Sequence, residues 1–237
     1  MEKPLANDGL PMTSGAILAG GRSTRFGDAD KSVVDLAGVP MIRRVANRFA
    51  GADDPVPPGA ARASGGDPIV DDLVISCRPD QRDAIETALD GLSLPVRWAL
   101  DAEPDRGPVA GIRNVCRAAP GDYVAVVACD MPFADPSFLA TLVEDAAGHD
   151  AAVPRLDDRW FQTTQAVYRA DAMAAACDRA LARGDRKILA PLDELDRVVG
   201  GDASIRERTT PRTFTNVNTR EELADAASVV ADALRKD

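Results

Sequence analysis

The 237-residue chain has a single histidine, His149, and only four lysines. His149 lies in a polar stretch that reads as a helix end at the surface. Its isolation argues against a Ser–His–Asp hydrolase and against a histidine-ligated metal enzyme, because both require imidazole as base or ligand. The four cysteines, Cys77, Cys116, Cys129 and Cys177, are scattered and form no CxxC pair. Neither a zinc site nor a disulfide framework is therefore indicated. No apolar run reaches membrane-spanning length, and no charged-then-apolar leader is present, so a cytoplasmic protein without a membrane partner is expected. The two common nucleotide fingerprints are missing as well. The glycine-rich stretch GAILAGGRSTRFGDADK, residues 15–31, carries Arg22 where GxGxxG needs its second glycine. No GK[ST] follows at P-loop spacing either. A Rossmann dehydrogenase is disfavoured on the first of these grounds.

What the chain does contain is acid and arginine. Its formal net charge is −10 and its pI near 4.7, with 30 Asp against 8 Glu and 24 Arg against 4 Lys. An acidic, lysine-poor surface stays soluble where salt screening is strong, so the composition suits a salt-rich cytoplasm. The same acidity argues against nucleic acid or an anionic membrane as partner. The length and the 45% hydrophobic content fit one α/β domain.

Residues 1–13 are polar and aperiodic and are expected to form a flexible tail ahead of one domain spanning 14–237. A strand at 15–18 leads into the glycine loop. An extended piece turning at Gly38 follows, and Pro40 opens a helix whose apolar positions are Ile42, Val45, Ala46 and Phe49. Residues 51–68 are rich in Gly, Pro, Ala and Asp and read as an inserted surface loop. Strands are expected at 72–76, 95–100, 123–128, 151–154 and 164–168, with short ones at 198–199 and 214–217. Helices are expected at 80–89, 109–118, 136–147, 171–183, 187–195 and 220–234. The run YVAVVA at 123–128 is continuously apolar and β-branched, hence central and buried on both faces. Alternating β and α of this kind predicts a doubly wound, mostly parallel sheet with helices on both faces.

Four places could carry chemistry. In the first loop, Gly20 and Gly21 permit close backbone approach to an anion, with Arg22, Arg25 and Lys31 within reach; an ordinary βα turn with solvated charges is the alternative. Lys31 and Lys187 are the only lysines away from the termini in a chain that otherwise uses arginine. Asp130 lies two residues beyond the strongest strand, where a carboxylate could hold Mg²⁺ against phosphates or simply cap a turn. Asp101 and Asp105, in DAEPDRGPVAGI, could meet a base or ribose, with the amides opening the next helix pointing into the crevice. In TNVNTREEL, Thr219 and Glu222 form a capping box, which leaves Asn216 and Asn218 free to face one side of a short strand and meet a phosphate or substrate.

Taken in order, LAGGRSTRFGDADK, LAGVPMI, DRGPVAGI, ACDMPF and FTNVNTREEL resemble the nucleotidyltransferase family with a glycosyltransferase-A-like fold, and within it the molybdenum cofactor guanylyltransferases of the MobA type. The resemblance runs from about Ser14 to Leu234. It implies that Leu18, Ala19, Gly20 and Gly21 line a nucleotide site and that Lys31 contacts phosphate, with Arg25 assisting. It makes Asp101 the acid on the base or ribose side and Asp130 the metal ligand. Ser76 stands where the family often places an asparagine against guanine. Gln165, Lys187 of the GDRK segment, Asn216 and Asn218 fall in the region that receives the second substrate. The implied substrates are GTP and molybdopterin, the implied cofactor is Mg²⁺, and transient contact with molybdoenzymes or other cofactor-synthesis proteins is implied for delivery. The same scaffold could move GMP or CMP to another phosphorylated acceptor, such as cobinamide phosphate or phospholactate, or bind and deliver the cofactor without catalysis.

Overall fold

The computed structural model describes residues 11–21, 30–51, 67–101, 107–157 and 159–235. Arg22, Arg25, Asp105 and residues 52–66 of the expected insert lie outside these. In chain order the elements are β1 (Thr13–Leu18), β2 (Asp35–Leu36), β3 (Val39–Pro40), α1 (Met41–Phe49), β4 (Asp72–Cys77), α2 (Arg82–Ala88), β5 (Val96–Leu100), α3 (Pro108–Ala118), β6 (Tyr123–Ala128), α4 (Pro136–Ala146), β7 (Ala151–Leu156), β8 (Trp160–Phe161) and β9 (Gln165–Arg169). They continue with α5 (Ala170–Ala182), α6 (Leu189–Leu192), β10 (Arg197–Gly200), α7 (Asp202–Arg208) and α8 (Arg220–Leu234). Single 3-10 turns occupy Lys31–Val33, Pro79–Gln81 and Pro211–Phe214. Among the described residues no helix is long and apolar enough to cross a membrane.

The main sheet runs β10-β7-β9-β6-β1-β4-β5, with β8 paired to β7. Strands β5, β4, β1 and β6 run parallel to one another, as do β7 and β10. Strand β9 is reversed against both β6 and β7, and β8 is reversed against β7. The sheet is thus the mostly parallel, doubly wound one that the alternation predicts. The reversal arises because no helix separates β7 from β8 and β9, and strands joined by a short connection run antiparallel. The carboxyl ends of β1, β4, β5 and β6 line one edge, which is where open α/β sheets place ligands.

Period-two alternation sends each parallel strand into two cores. Ile17, Leu73, Ile75, Ala125 and Val127 face a cluster with Ile42, Val45 and Phe49 of α1, Ile85 of α2 and Leu139 of α4. Ala16, Val74, Val124 and Val126 face the opposite cluster with Ile112 and Val115 of α3 and Met173 of α5. Each fully buried Val, Leu, Ile, Phe or Met contributes roughly 1.5–3 kcal/mol of apolar burial, and β6 feeds both layers. A third, small cluster of Leu36, Met41, Val217 and Ala226 seats α8 on the β2–β3 hairpin. That hairpin turns at Ala37 and Gly38, both at positive φ (52° and 84°). Its carbonyls are gripped by the fully buried Arg44 of α1, which donates to Leu36 O at 2.8 Å.

Several boundaries differ from expectation for local reasons. Strand β1 starts at Thr13, inside the expected tail, because Asp122 N donates to Met12 O at 2.8 Å and Thr13 pairs with Tyr123. The helix expected at 187–195 shrinks to Leu189–Leu192; Pro191 has no amide to bond Lys187 O, which a helix starting at 187 would need. Residues 214–217 are not a strand: Pro211 opens a 3-10 turn that ends at Phe214. Helix α7 and strand β8 were not anticipated, being short and without an apolar period.

Candidate active site

Three strand ends are stitched together where β1 stops. Ala19 N donates to Ser76 O (2.7 Å) at the end of β4, and Cys129 N donates to Leu18 O (3.1 Å) beyond β6. Leu18 is half-buried and Ala19 buried at this junction. Gly20 follows with Asp101 pressed against it: a Cβ there would lie 2.2 Å from Asp101 Oδ2. Asp101 has little freedom to retreat. Its Oδ1 accepts from Asn114 Nδ2 (3.1 Å) and Ser76 Oγ (3.3 Å), and its backbone N donates to Cys77 O (2.9 Å). Burial raises the Asp101 pKa above its ordinary range, against the lowering effect of the Asn114 and Ser76 hydrogen bonds and the Arg78 charge.

The second half of the site joins three distant motifs. Lys31 Nζ lies 2.8 Å from Asp130 Oδ2 and 2.7 Å from Asn218 Oδ1. Lys31 is presented by the 3-10 turn Lys31–Val33, whose cap Asp30 accepts from Ser32 N at 3.0 Å. Asp130 sits on the turn just past β6, and Val217 N donates to Asp130 O (2.8 Å), which draws the NVNT segment alongside. The expected capping box is formed: Thr219 Oγ1 accepts from Glu222 N, and Glu222 Oε2 accepts from Thr219 N. It starts α8 immediately after Asn218.

Asp130 Oδ1 is buried and has no hydrogen-bond partner among the described residues. An orphaned carboxylate oxygen suits a divalent cation, here against the repulsion of the neighbouring Lys31 ammonium. Mg²⁺ commonly takes one or two protein carboxylates and completes its shell with substrate phosphates and water. Among the described residues no group of three or more His, Cys, Asp or Glu gathers, so a metal here would depend on Asp130 and on the substrate. Cys129 beside it is buried, and burial, reinforced by the Asp130 charge, pushes its thiol up to about 12. It is a protonated filler and not a nucleophile.

The remaining sequence candidates are spread more widely. Ser76 reaches the site through Asp101, as described. Gly21 is exposed next to Gly20. Gln165 stands at the same sheet edge but has no exposed surface, and its Nε2 donates to Thr213 Oγ1 at 2.7 Å. Asn216 is exposed, and its amide donates to Phe214 O (3.5 Å); the strand expected to align it with Asn218 does not form. Lys187 is exposed on a turn whose neighbour Arg186 packs its carbonyl against Gly107, at the head of α3. Arg25 lies outside the described residues. His149 is at the surface, 2.9 Å from Asp196.

Residues 15–198 match the MobA-like NTP transferase domain. The chain belongs to this family. A MobA-like relative from Natronomonas pharaonis, named probable molybdenum cofactor guanylyltransferase, is 46% identical over 213 residues, covering 90% of this chain and 96% of that one. A molybdenum cofactor guanylyltransferase from Pseudomonas putida is 33% identical over 220 residues, covering 92% and 99%. Among solved structures, molybdopterin-guanine dinucleotide biosynthesis protein A from Archaeoglobus fulgidus is similar with a TM-score of 0.69 and 26% identity, covering 92% of this chain and 99% of that one. The 4-diphosphocytidyl-2C-methyl-D-erythritol synthase of Anaerococcus prevotii shares the fold alone, at 13% identity and a TM-score of 0.65.

Within this MobA-like site, sequence reasoning passed over Asn114, Arg78, Gln81 and Asp30. Asn114 sits on the polar side of α3, where nothing distinguishes it from a solvated residue. Arg78 and Gln81 fall in the first turn after β4, read as an ordinary helix start. The one available signal was the Arg-Pro-Asp-Gln run directly after a strand end at the ligand edge.

Proposed function

We propose that the chain is a Mg²⁺-dependent enzyme that transfers GMP from GTP to the terminal phosphate of molybdopterin, giving the guanine dinucleotide form of the cofactor and pyrophosphate. The observation that carries this reading is the meeting of Lys31, Asp130 and Asn218, from three separate motifs, beside the Gly20 turn and Asp101. The substrates follow from the relatives, which are named molybdenum cofactor guanylyltransferases and a molybdopterin-guanine dinucleotide biosynthesis protein.

An oxygen of the acceptor phosphate forms a bond to the α-phosphorus of GTP. The bond from that phosphorus to the bridging oxygen breaks, and pyrophosphate leaves with the electron pair. A phosphate monoester is largely ionised at neutral pH, its second pKa being about 6, so the step needs no protein base. That agrees with a site in which no histidine is found among the described residues. What the protein must do is align two anions and offset their charge. Lys31 places an ammonium on the phosphates. Asn218 holds Lys31 on one side and Asp130 on the other. Asp101, half-buried and fixed by Ser76 and Asn114, takes the base or ribose. Asp130 would hold Mg²⁺, which would supply further charge neutralisation when bound. We place the reaction in the cytoplasm, where nucleoside triphosphates are held, with transient hand-over of product to molybdoenzymes or other cofactor-synthesis proteins.

Pyrophosphate release from GTP, CTP and ATP, each with molybdopterin and with an alternative phosphorylated acceptor, tests the assignment over a Mg²⁺ titration. GTP with molybdopterin should lead by at least tenfold and depend on Mg²⁺. Faster turnover with another nucleotide or acceptor would reassign the substrate, and binding without pyrophosphate release would make the chain a delivery protein.

A further inference from the structure

Gln81 touches none of Lys31, Asp130 and Asn218, yet it holds the frame on which Lys31 is mounted. Its side chain is 2% exposed. The amide Nε2 donates both to Ala19 O (3.1 Å) and to Asp30 Oδ1 (3.0 Å), while Oε1 accepts from Arg78 N (2.9 Å). Ala19 is where the chain enters the glycine loop, and Asp30 is where it leaves. One buried amide therefore ties the two ends of the loop together. Asp30 passes the restraint on, because the same Oδ1 accepts from Ser32 N (3.0 Å) and Ser32 Oγ (2.8 Å) and so caps the turn that presents Lys31.

Arg78 completes the arrangement. Its Nη1 donates to Gly20 O (3.3 Å) and Gly21 O (3.1 Å), and Asp80 holds its Nε and Nη2, each at 3.1 Å. Three successive carbonyls, of Ala19, Gly20 and Gly21, thus face Gln81 and Arg78. In a trans peptide the carbonyl and the following N–H point in opposite directions, and no cis peptide occurs among the described residues. The N–H groups of Gly20 and Gly21 are therefore turned away from Arg78 and Gln81, and neither has an acceptor among the described residues. Two adjacent amides fixed in this way form a ready anion-binding pair. Donors fixed before the anion arrives cost no reorganisation when it binds.

We infer that Gln81 and Arg78 are positioning residues for phosphate transfer: Gln81 sets Lys31 through Asp30 and the Gly20 amide through the Ala19 carbonyl, and Arg78 sets the Gly21 amide by holding the Gly20 carbonyl. This rests on the reading of the site as one that binds a nucleoside triphosphate.

The test is a set of GTP dissociation constants, measured calorimetrically on the full chain, with kcat and KM where turnover is present. Gln81→Met keeps the volume and removes every hydrogen bond. It should weaken GTP at least tenfold and lower kcat, with the acceptor KM unchanged within about twofold. In a Lys31→Met background the same change should cost at least threefold less, because neighbours acting through one group are not additive; the part that persists is the hold on the Ala19 carbonyl. Equal losses in both backgrounds would overturn the role through Lys31. Should Gln81→Met fail to fold, Gln81→Glu serves in its place: it retains the acceptor for Arg78 N and sets a carboxylate against Asp30. Arg78→Met should weaken GTP about tenfold without moving the melting temperature, and an unchanged affinity would overturn the part assigned to Arg78. If the wild-type chain binds no GTP, the nucleotide reading fails on its own. The same cycle is then read with pyrophosphate, and affinities within twofold across all variants would overturn the positioning role as well.

Discussion

Lys31 and Asp130, 99 residues apart in the chain, meet as an ion pair of 2.8 Å in which both side chains are largely shielded from water. Neither lies in a regular strand or α-helix. Each is placed by a short turn at the edge of the sheet, so the pair is a product of topology and not of local sequence. In the proposed reaction this ammonium meets the phosphate charge, and the second Asp130 oxygen, which has no hydrogen-bond partner among the described residues, is the one proposed for a cation.

Lys31→Ala and Asp130→Ala should each abolish turnover, with kcat lower by about 10²–10³ or more, the range seen when one fixed electrostatic contact to a transition state is removed. Circular dichroism should show the native helix and strand content in both variants. Full activity in Asp130→Ala would remove the metal-ligand assignment.

Gly20 and Gly21 are neighbours with opposite steric demands. A Cβ on Gly20 would lie 2.2 Å from Asp101 Oδ2, whereas a Cβ on Gly21 meets nothing within 4 Å among the described residues. Gly20→Ala must push aside a carboxylate held by Ser76 and Asn114. It should weaken GTP by about tenfold or more, equivalent to about 1.4 kcal/mol. Gly21→Ala should stay within about threefold. Titration of both variants by calorimetry checks the contrast.

The parallel sheet was legible because β-branched runs such as 123–128 and helical apolar spacing such as Ile42, Val45, Ala46 and Phe49 report burial directly, and all four of these helix residues are fully buried. The site was legible in part, through residue type at strand ends: Asp130 and Asp101 stand where carboxyl edges gather ligands. Gln81 and Asn114 were not, because a side-chain amide bonded to backbone or carboxylate leaves no periodic trace in sequence. The strand expected at 214–217 was misjudged for a related reason. Alternation around Val217 implied a strand, but Val217 is buried against α8 and the hairpin by an irregular segment tied to Asp130 O.

Asp101 gives the fold a pH signature. Burial raises its folded pKa above the ordinary 3.8, so the unfolded chain ionises first and the charged carboxylate costs stability at neutral pH. Stability attached to this group should rise as pH falls through the raised folded pKa and level off below 3.8. Asp101→Asn should therefore melt higher than wild type at pH 7, with the difference fading toward pH 3.8. Thermal melts of both proteins across that window decide the point.

Gln165 should act on stability and not on substrate. It is fully buried, and among the described residues it has one side-chain hydrogen bond, to Thr213, and an unpartnered Oε1. Gln165→Met removes one hydrogen bond and one orphaned acceptor together, so the net change should be below about 1.5 kcal/mol. The KM for the acceptor should be unchanged within about twofold. A large rise in that KM would mean that Gln165 reaches the second substrate.

The most direct measurement follows phosphorus through the reaction. Purified chain is incubated with molybdopterin, Mg²⁺ and GTP labelled at either the α- or the γ-phosphorus. The account predicts that α-label enters the cofactor, that γ-label leaves as pyrophosphate, and that Asp130→Ala stops both. Label from the γ-position in the acceptor, or no transfer from GTP under any Mg²⁺ concentration, would contradict it.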